Sequence, residues 1–168
     1  MKEYTEDELK YKAEAYCSTT EHCPAEVMAK LIQWGADGEM SERILEHLQK
    51  ERYVDSVRFC RAFVRDKYRF ARWGRVKIVQ ALRMKHLSSE EIEAGVAEID
   101  EEEYAKGLRD LLRQKSKSVS GKNEYERNTK LIRFAVGRGF TMGEVLRYVK
   151  QIDPDEFIIL TRSKLDFD

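Results

Sequence analysis

Apolar residues recur along this chain at three- and four-residue intervals, the spacing of one face of an α-helix. Leu9, Ala13, Tyr16 and Cys17 predict a first helix from about Asp7 to Ser18, after a frayed start at residues 1–5. Pro24 suits the first position of a second helix, where its missing N–H costs nothing. That helix turns Val27, Met28, Leu31 and Ile32 inward and stops at Gly35. A third, from near Ser41, carries Ile44, Leu45 and Leu48. The order then repeats. A long helix from about Ser56 to Phe70 has Asp55 or Ser56 as its N-cap and is broken at Trp73-Gly74. A second has the stripe Ile78, Val79 and Leu82. Ser88 and Glu91 form a capping box that opens a third helix with Ile92 and Val96. The last round runs through Tyr104, Leu108, Leu111 and Leu112, then through Tyr125, Leu131, Ile132 and Val136 to the glycines 137 and 139. It closes with a helix capped by Thr141 and Glu144 that carries Val145, Leu146 and Val149. Lys115 to Asn123 is the most loop-like stretch between them, and Pro154 ends the pattern.

Ile44, Ile92 and Val145 hold equivalent places, 48 and 53 residues apart. A period near 50 in a helical chain predicts an all-α protein of tandem three-helix modules, each too small to be very stable alone. The expected boundaries are 6–52, 53–100 and 101–153, with a tail at 154–168 that holds the apolar patch Phe157 to Leu160. One irregular helical bundle is the alternative. Composition agrees with helices: 37% of residues are charged, with only 9 Gly and 2 Pro.

Charge changes the reading more than composition does. Positive and negative residues balance to a net charge of +0, yet they are banded. Residues 1–50 carry −5, residues 51–85 +8, residues 86–110 −7, residues 111–150 +7 and residues 151–168 −3. On a helix with about 100° per residue, Arg58, Arg61, Arg65, Arg69 and Arg72 fall within about 80° of arc. Phe59, Phe63 and Phe70 fall about 150° away, so a Phe face is expected to build the core while an Arg face, without a partner in its own module, meets an anion. With Lys67, Arg75 and Lys77 these residues form the expected binding surface. The plain alternative is that the acidic segments on either side neutralise them. Lys115, Lys117, Lys122, Arg127, Lys130 and Arg133 offer a second contact to nucleic acid, whose loop half either clamps phosphate or is simply mobile. Tyr68 and Trp73 either stack on unpaired bases or close a helix junction.

Catalysis has little support. No phosphate-binding glycine loop, nucleophile elbow or HExxH occurs, and Glu101, Glu102 and Glu103 suit a helix N-terminus. Cys17, His22, Cys23 and Cys60 lack the count and spacing of a zinc site, so the cysteines read as buried thiols and no cofactor is expected. No apolar run approaches the ~20 residues of a membrane span, and the first residues show no apolar signal region. The expectation is a non-enzymatic, monomeric or weakly associating cytoplasmic protein.

Several of these positions fall in a pattern. Tyr53-Val54-Asp55, Phe59-Cys60, Phe63-Val64-Arg65 and then Gly74 with Val76-Lys77-Ile78 and Leu82 resemble the RecX family of recombinase regulators. The resemblance covers roughly residues 7–150. Arg52 stands where that family usually has Gly, Ser56 where it often has Asp, Gly74-Arg75 where it has Gly-Pro, and His86 where it has Gly. The resemblance implies three helix-turn-helix-like repeats in an extended, curved arrangement. It also implies a regulator, in DNA repair, homologous recombination and the SOS response, that binds the recombinase RecA and its filament on single-stranded DNA. Such a regulator limits filament growth, strand exchange, ATP hydrolysis and coprotease activity, and some members bind DNA directly. The alternative is a helix-turn-helix transcriptional regulator. Against it, the third helices, from Ser41 to Gln49 and from Ser88 to Glu98, are acidic or apolar where a recognition helix needs Arg with Asn or Gln.

Overall fold

The computed structural model describes residues 2–152, and side chains as far as Val149. Pro154 and the patch Phe157 to Leu160 lie outside the described residues. Three rounds of three helices follow one another: α1 (Glu6–Thr19), α2 (Pro24–Gln33), α3 (Gly38–Lys50); α4 (Ser56–Arg69), α5 (Arg75–Met84), α6 (Ser89–Val96); α7 (Glu101–Ser116), α8 (Glu124–Gly137), α9 (Met142–Ile152). No strand occurs among the described residues.

Local chemistry fixes the ends of these helices. The first helix of each round is capped by a side chain that accepts from the backbone three residues on: Thr5 from Glu8, Asp55 from Arg58 and Asp100 from Glu103. The third helices use Asp37, Ser88 and Thr141 in the same way. The boxes of Ser88 with Glu91 and Thr141 with Glu144 form as expected. Helix α3 starts three residues ahead of Ser41, because Asp37 is the better cap; Ser41 is a fully buried residue inside it.

The turn between second and third helices is the same device three times. Gly35, His86 and Gly139 each have positive φ, at 102°, 62° and 102°. At each, the next residue's N–H donates to a carbonyl five residues back: Ala36 to Leu31, Leu87 to Leu82 and Phe140 to Ala135. This is the Schellman arrangement, and all six residues of those pairs are buried. Arg52, at φ 62°, ends α3 in the same manner. Both places where the sequence departs from a family glycine are therefore left-handed positions held by larger residues, where glycine avoids the strain.

Packing divides the described residues into two compact units, residues 2–64 with 81–98, and residues 65–80 with 99–152. The division falls inside α4 and α5. In the first unit α1 packs on α2 and α3 around Leu9, Ala13, Cys17, Val27, Leu31, Ile44 and Leu48. Within the same unit, Gly95 on α6 lies so close to Cys60 on α4 that an added Cβ would meet it at 2.9 Å. The second unit packs α8 on both α7 and α9. There Gly74 N–H donates to Arg138 O at 2.9 Å and Val76 N–H to Gly139 O at 3.1 Å, and a Cβ on Gly74 would overlap the Gly139 backbone. Ile44, Ile92 and Val145 are all buried, in keeping with their equivalence. Ile32, Tyr125 and Val136, expected in the core, are instead exposed, at the edge of their helices' apolar faces.

Candidate nucleic-acid and protein interface

Helix α4 buries Phe59, Cys60, Val64 and Tyr68. Phe59 and Phe63 stack with centroids 5.8 Å apart, but Phe70 is 81% exposed. The expectation that three phenylalanines build the core thus fails for Phe70. It lies past the last residue of α4, Arg69, where the chain leaves the helix, and Tyr68 fills the buried position instead. Burial also removes Tyr68 as a base-stacking residue: its hydroxyl donates to Glu103 Oε2 at 3.1 Å.

In the first unit, Arg58 Nε donates to Glu21 Oε1 at 2.7 Å, and its Nη2 donates to the carbonyl of Arg52 at 3.0 Å. Arg61 meets Glu98 at 2.9 Å. Glu98 belongs to the same sequence module, so the expectation of an Arg face without a partner in its module is wrong. The carboxylate arrives from the end of the third helix, out of reach of any helical periodicity within α4. In the second unit Arg69 meets Glu103 at 3.0 Å and Arg75 pairs with Glu101. Arg65 is exposed, and Arg72 holds a left-handed conformation, φ 53°. Lys67 and Lys77 both place their ammonium groups near the Trp73 ring, 4.5 and 4.4 Å from its centroid.

The acidic segments therefore do neutralise part of the basic band. Two of the pairs are solvent-exposed, at 48% and 45% for Arg61 and Glu98 and 43% and 50% for Arg69 and Glu103, whereas Arg58 with Glu21 is partly buried. Exposed ion pairs contribute little net stability and exchange readily with other anions. Glu21, Glu98, Glu101 and Glu103 are the partners that sequence reasoning missed. The available signal was the pair of acidic bands, −5 and −7, on either side of the +8 one.

Arg75 stands at the helix N1 position, where proline is favoured. Its backbone N–H is used: it donates to the Tyr104 hydroxyl at 3.0 Å. Tyr104 is buried, which pushes its phenol above the ordinary value, although the Arg75 N–H acts the other way. Arg138, not singled out from sequence, ties the Ala71 carbonyl to the α8–α9 turn.

The second basic set is organised differently. Arg127 and Lys130 pair along their own helix with Glu124 and Glu126. They also donate to the carbonyls of Ser116 and Ser120, at 3.5 and 2.6 Å, which ties the 117–123 loop to α8. Lys115 lies 4.7 Å from the Phe134 ring, while Lys117, Lys122 and Arg133 are exposed.

Cys17, Cys23 and Cys60 are buried free thiols, and burial pushes all three up to about 11. The Cys23 thiol donates to Glu26 at 3.2 Å, and His22 stacks on Tyr16 at 3.8 Å. Burial alone would raise the Glu26 carboxyl, but Cys23, Lys85 and His22 together hold it below the ordinary value. No group of three His, Cys, Asp or Glu side chains is placed to hold a metal ion among the described residues. No described helix is long and apolar enough to cross a membrane.

An all-α chain of repeated, capped three-helix sets belongs to the class of helical-repeat proteins. Residues 57–96 match the family description "RecX, second three-helix domain", and residues 101–149 match "RecX, third three-helix domain". The chain belongs to the RecX family of regulatory proteins. It is 27% identical over 145 residues to "Regulatory protein RecX" of Ralstonia nicotianae, covering 86% of this chain and 88% of that one. To the protein of that name from Clostridium tetani it is 29% identical over 142 residues, covering 83% and 62%. The structure titled "Crystal structure of RecX from Lactobacillus salivarius" shares the fold, with a TM-score of 0.78 at 15% identity, covering 88% of this chain and 96% of that one.

Proposed function

We propose that this chain restrains RecA filaments on single-stranded DNA, limiting filament growth and, with it, strand exchange, ATP hydrolysis and coprotease activity. The family name supports a regulatory role. The observation that carries the reading further is the cationic set Arg58, Arg61, Arg65, Lys67, Arg69, Arg72, Arg75 and Lys77, two of whose carboxylate partners, Glu98 and Glu103, are exposed and exchangeable. A filament of protein and DNA offers both carboxylates and phosphates, and guanidinium groups suit bidentate contact with either. Lys115, Lys117, Lys122, Arg127, Lys130 and Arg133 supply a weaker, secondary DNA contact. In this reading the chain is three helical repeats, 6–52, 53–100 and 101–153, with the central one carrying most of the cationic set.

The test is a titration of RecA ATPase on single-stranded DNA. Wild-type protein is expected to inhibit at substoichiometric to stoichiometric ratios. The variant with Arg58, Arg61, Arg65 and Arg69 all changed to Glu is expected to lose inhibition while keeping its helical circular dichroism. Unchanged potency in a folded variant would remove this surface from the mechanism.

A further inference from the structure

The segment from Lys67 to Lys77 holds five cations, Lys67, Arg69, Arg72, Arg75 and Lys77, and no acid. Its centre is the turn between α4 and α5, and that turn is unusually well fixed. Trp73 N–H donates to Lys67 O at 2.9 Å, over a left-handed Arg72. Ala71 O is held by Arg138, and Gly74 is held by the Arg138 carbonyl. On this braced turn Phe70 stands 81% exposed. Three residues on, Trp73 carries the ammonium groups of Lys67 and Lys77 beside its ring. A lone exposed Phe is ordinary. An exposed Phe on a fixed turn, beside a lysine-flanked Trp, in an acid-free cationic segment, has the composition of a single-strand binding site.

We infer that the α4–α5 turn is a base-stacking platform for an unpaired nucleic-acid strand. Phe70 takes the face of a base, and Lys67, Arg72 and Lys77 neutralise the flanking phosphates. The fixed turn means that little ordering is needed on binding. Charge decides the occupant. An apolar protein surface would strip water from the cations and offer no anion in return, and a duplex hides its base faces by stacking. An unpaired strand presents both π-faces and phosphates. This deepens the proposed function, on which it rests for the single strand, by separating base contact at the turn from charge contact elsewhere on the cationic set.

The experiment uses the full chain with Trp34→Phe, leaving Trp73 as the reporter, titrated without RecA by a thymidine oligonucleotide and by an abasic backbone of equal length. Trp73 fluorescence is expected to be quenched by the oligonucleotide and not by the abasic strand. Phe70→Ala should weaken oligonucleotide binding about tenfold, with the slope of log K against log salt unchanged. Phe70→Tyr should restore it. Lys67→Gln with Lys77→Gln should lower that slope by about one for each lysine removed. Equal affinity for abasic and thymidine strands, or no loss with Phe70→Ala, overturns the platform. RecA ATPase inhibition, measured on the same wild-type sample, separates the two readings. A protein that inhibits but does not stack keeps the function and loses the platform. A protein that stacks but does not inhibit does the reverse.

Discussion

The two basic bands of this chain have similar charge and opposite construction. In the first, around α4 and α5, arginines meet carboxylates far away in sequence: Arg58 with Glu21 and Arg69 with Glu103. In the second, Arg113, Arg127 and Lys130 pair with Asp110, Glu124 and Glu126 three or four residues away on their own helices. Local pairs form in any isolated helix and say little about a partner. Distant pairs require the folded protein to bring anions to a cationic surface, and another anion can displace them. Positive charge alone therefore does not identify an interface; the origin of its counter-charge is more informative.

Three perturbations probe that difference. The largest effect is expected where the backbone under the first band is tightest. Gly74→Ala forces a Cβ into the Gly139 backbone, and about 3 kcal/mol of stability should be lost, read as a fall in Tm and in the urea midpoint. Gly121→Ala, in the second band's loop, meets Arg127 Cγ at 2.9 Å and the Arg127 backbone N at 3.0 Å, a looser fit than at Gly74, and should cost less, about 1 kcal/mol. Equal losses would mean that both bands rest on equally yielding supports. Next comes charge. Glu98→Gln with Glu103→Gln frees Arg61 and Arg69, and should tighten binding to the RecA filament several-fold at low salt with little change in Tm. Asp110→Asn with Glu126→Gln, its counterpart in the second band, should leave filament affinity nearly unchanged. A larger gain from the second pair would reverse the ranking of the bands. The smallest effect belongs to the left-handed turn at His86. His86→Gly relieves strain at φ 62° and should stabilise by about 0.5 kcal/mol, since the gain is partly offset by the greater freedom of glycine when unfolded. Gly139→Ala, at the equivalent turn beside the second band, should destabilise, because a Cβ there meets Lys77 as well as an unfavourable φ.

Much of the architecture was legible in the sequence because it is written in local chemistry. Ser88 with Glu91 and Thr141 with Glu144 announced their helices, and Ile44, Ile92 and Val145 marked the repeat. The errors came from what periodicity does not encode. Phe70 continues the apolar arc of α4, but the helix stops one residue earlier, so it faces water. Ile32 suits an apolar stripe, yet it stands exposed. The candidate surface was half legible. Its cations could be counted, whereas the carboxylates of Glu21 and Glu103, and the bracing of the turn by Arg138, depend on contacts 34 to 67 residues apart.

The meeting of Gly74 with Gly139 is made by main chain alone, through two hydrogen bonds and the absence of side chains. Such a joint demands no complementary pair of side chains, so neighbouring positions can drift without re-matching one another. Mutational tolerance should accordingly be uneven in a saturation library of this chain. Two narrow points that accept almost no replacement would be set among flanks that accept many, and lesions at residue 139 would register at the arginines around residue 74.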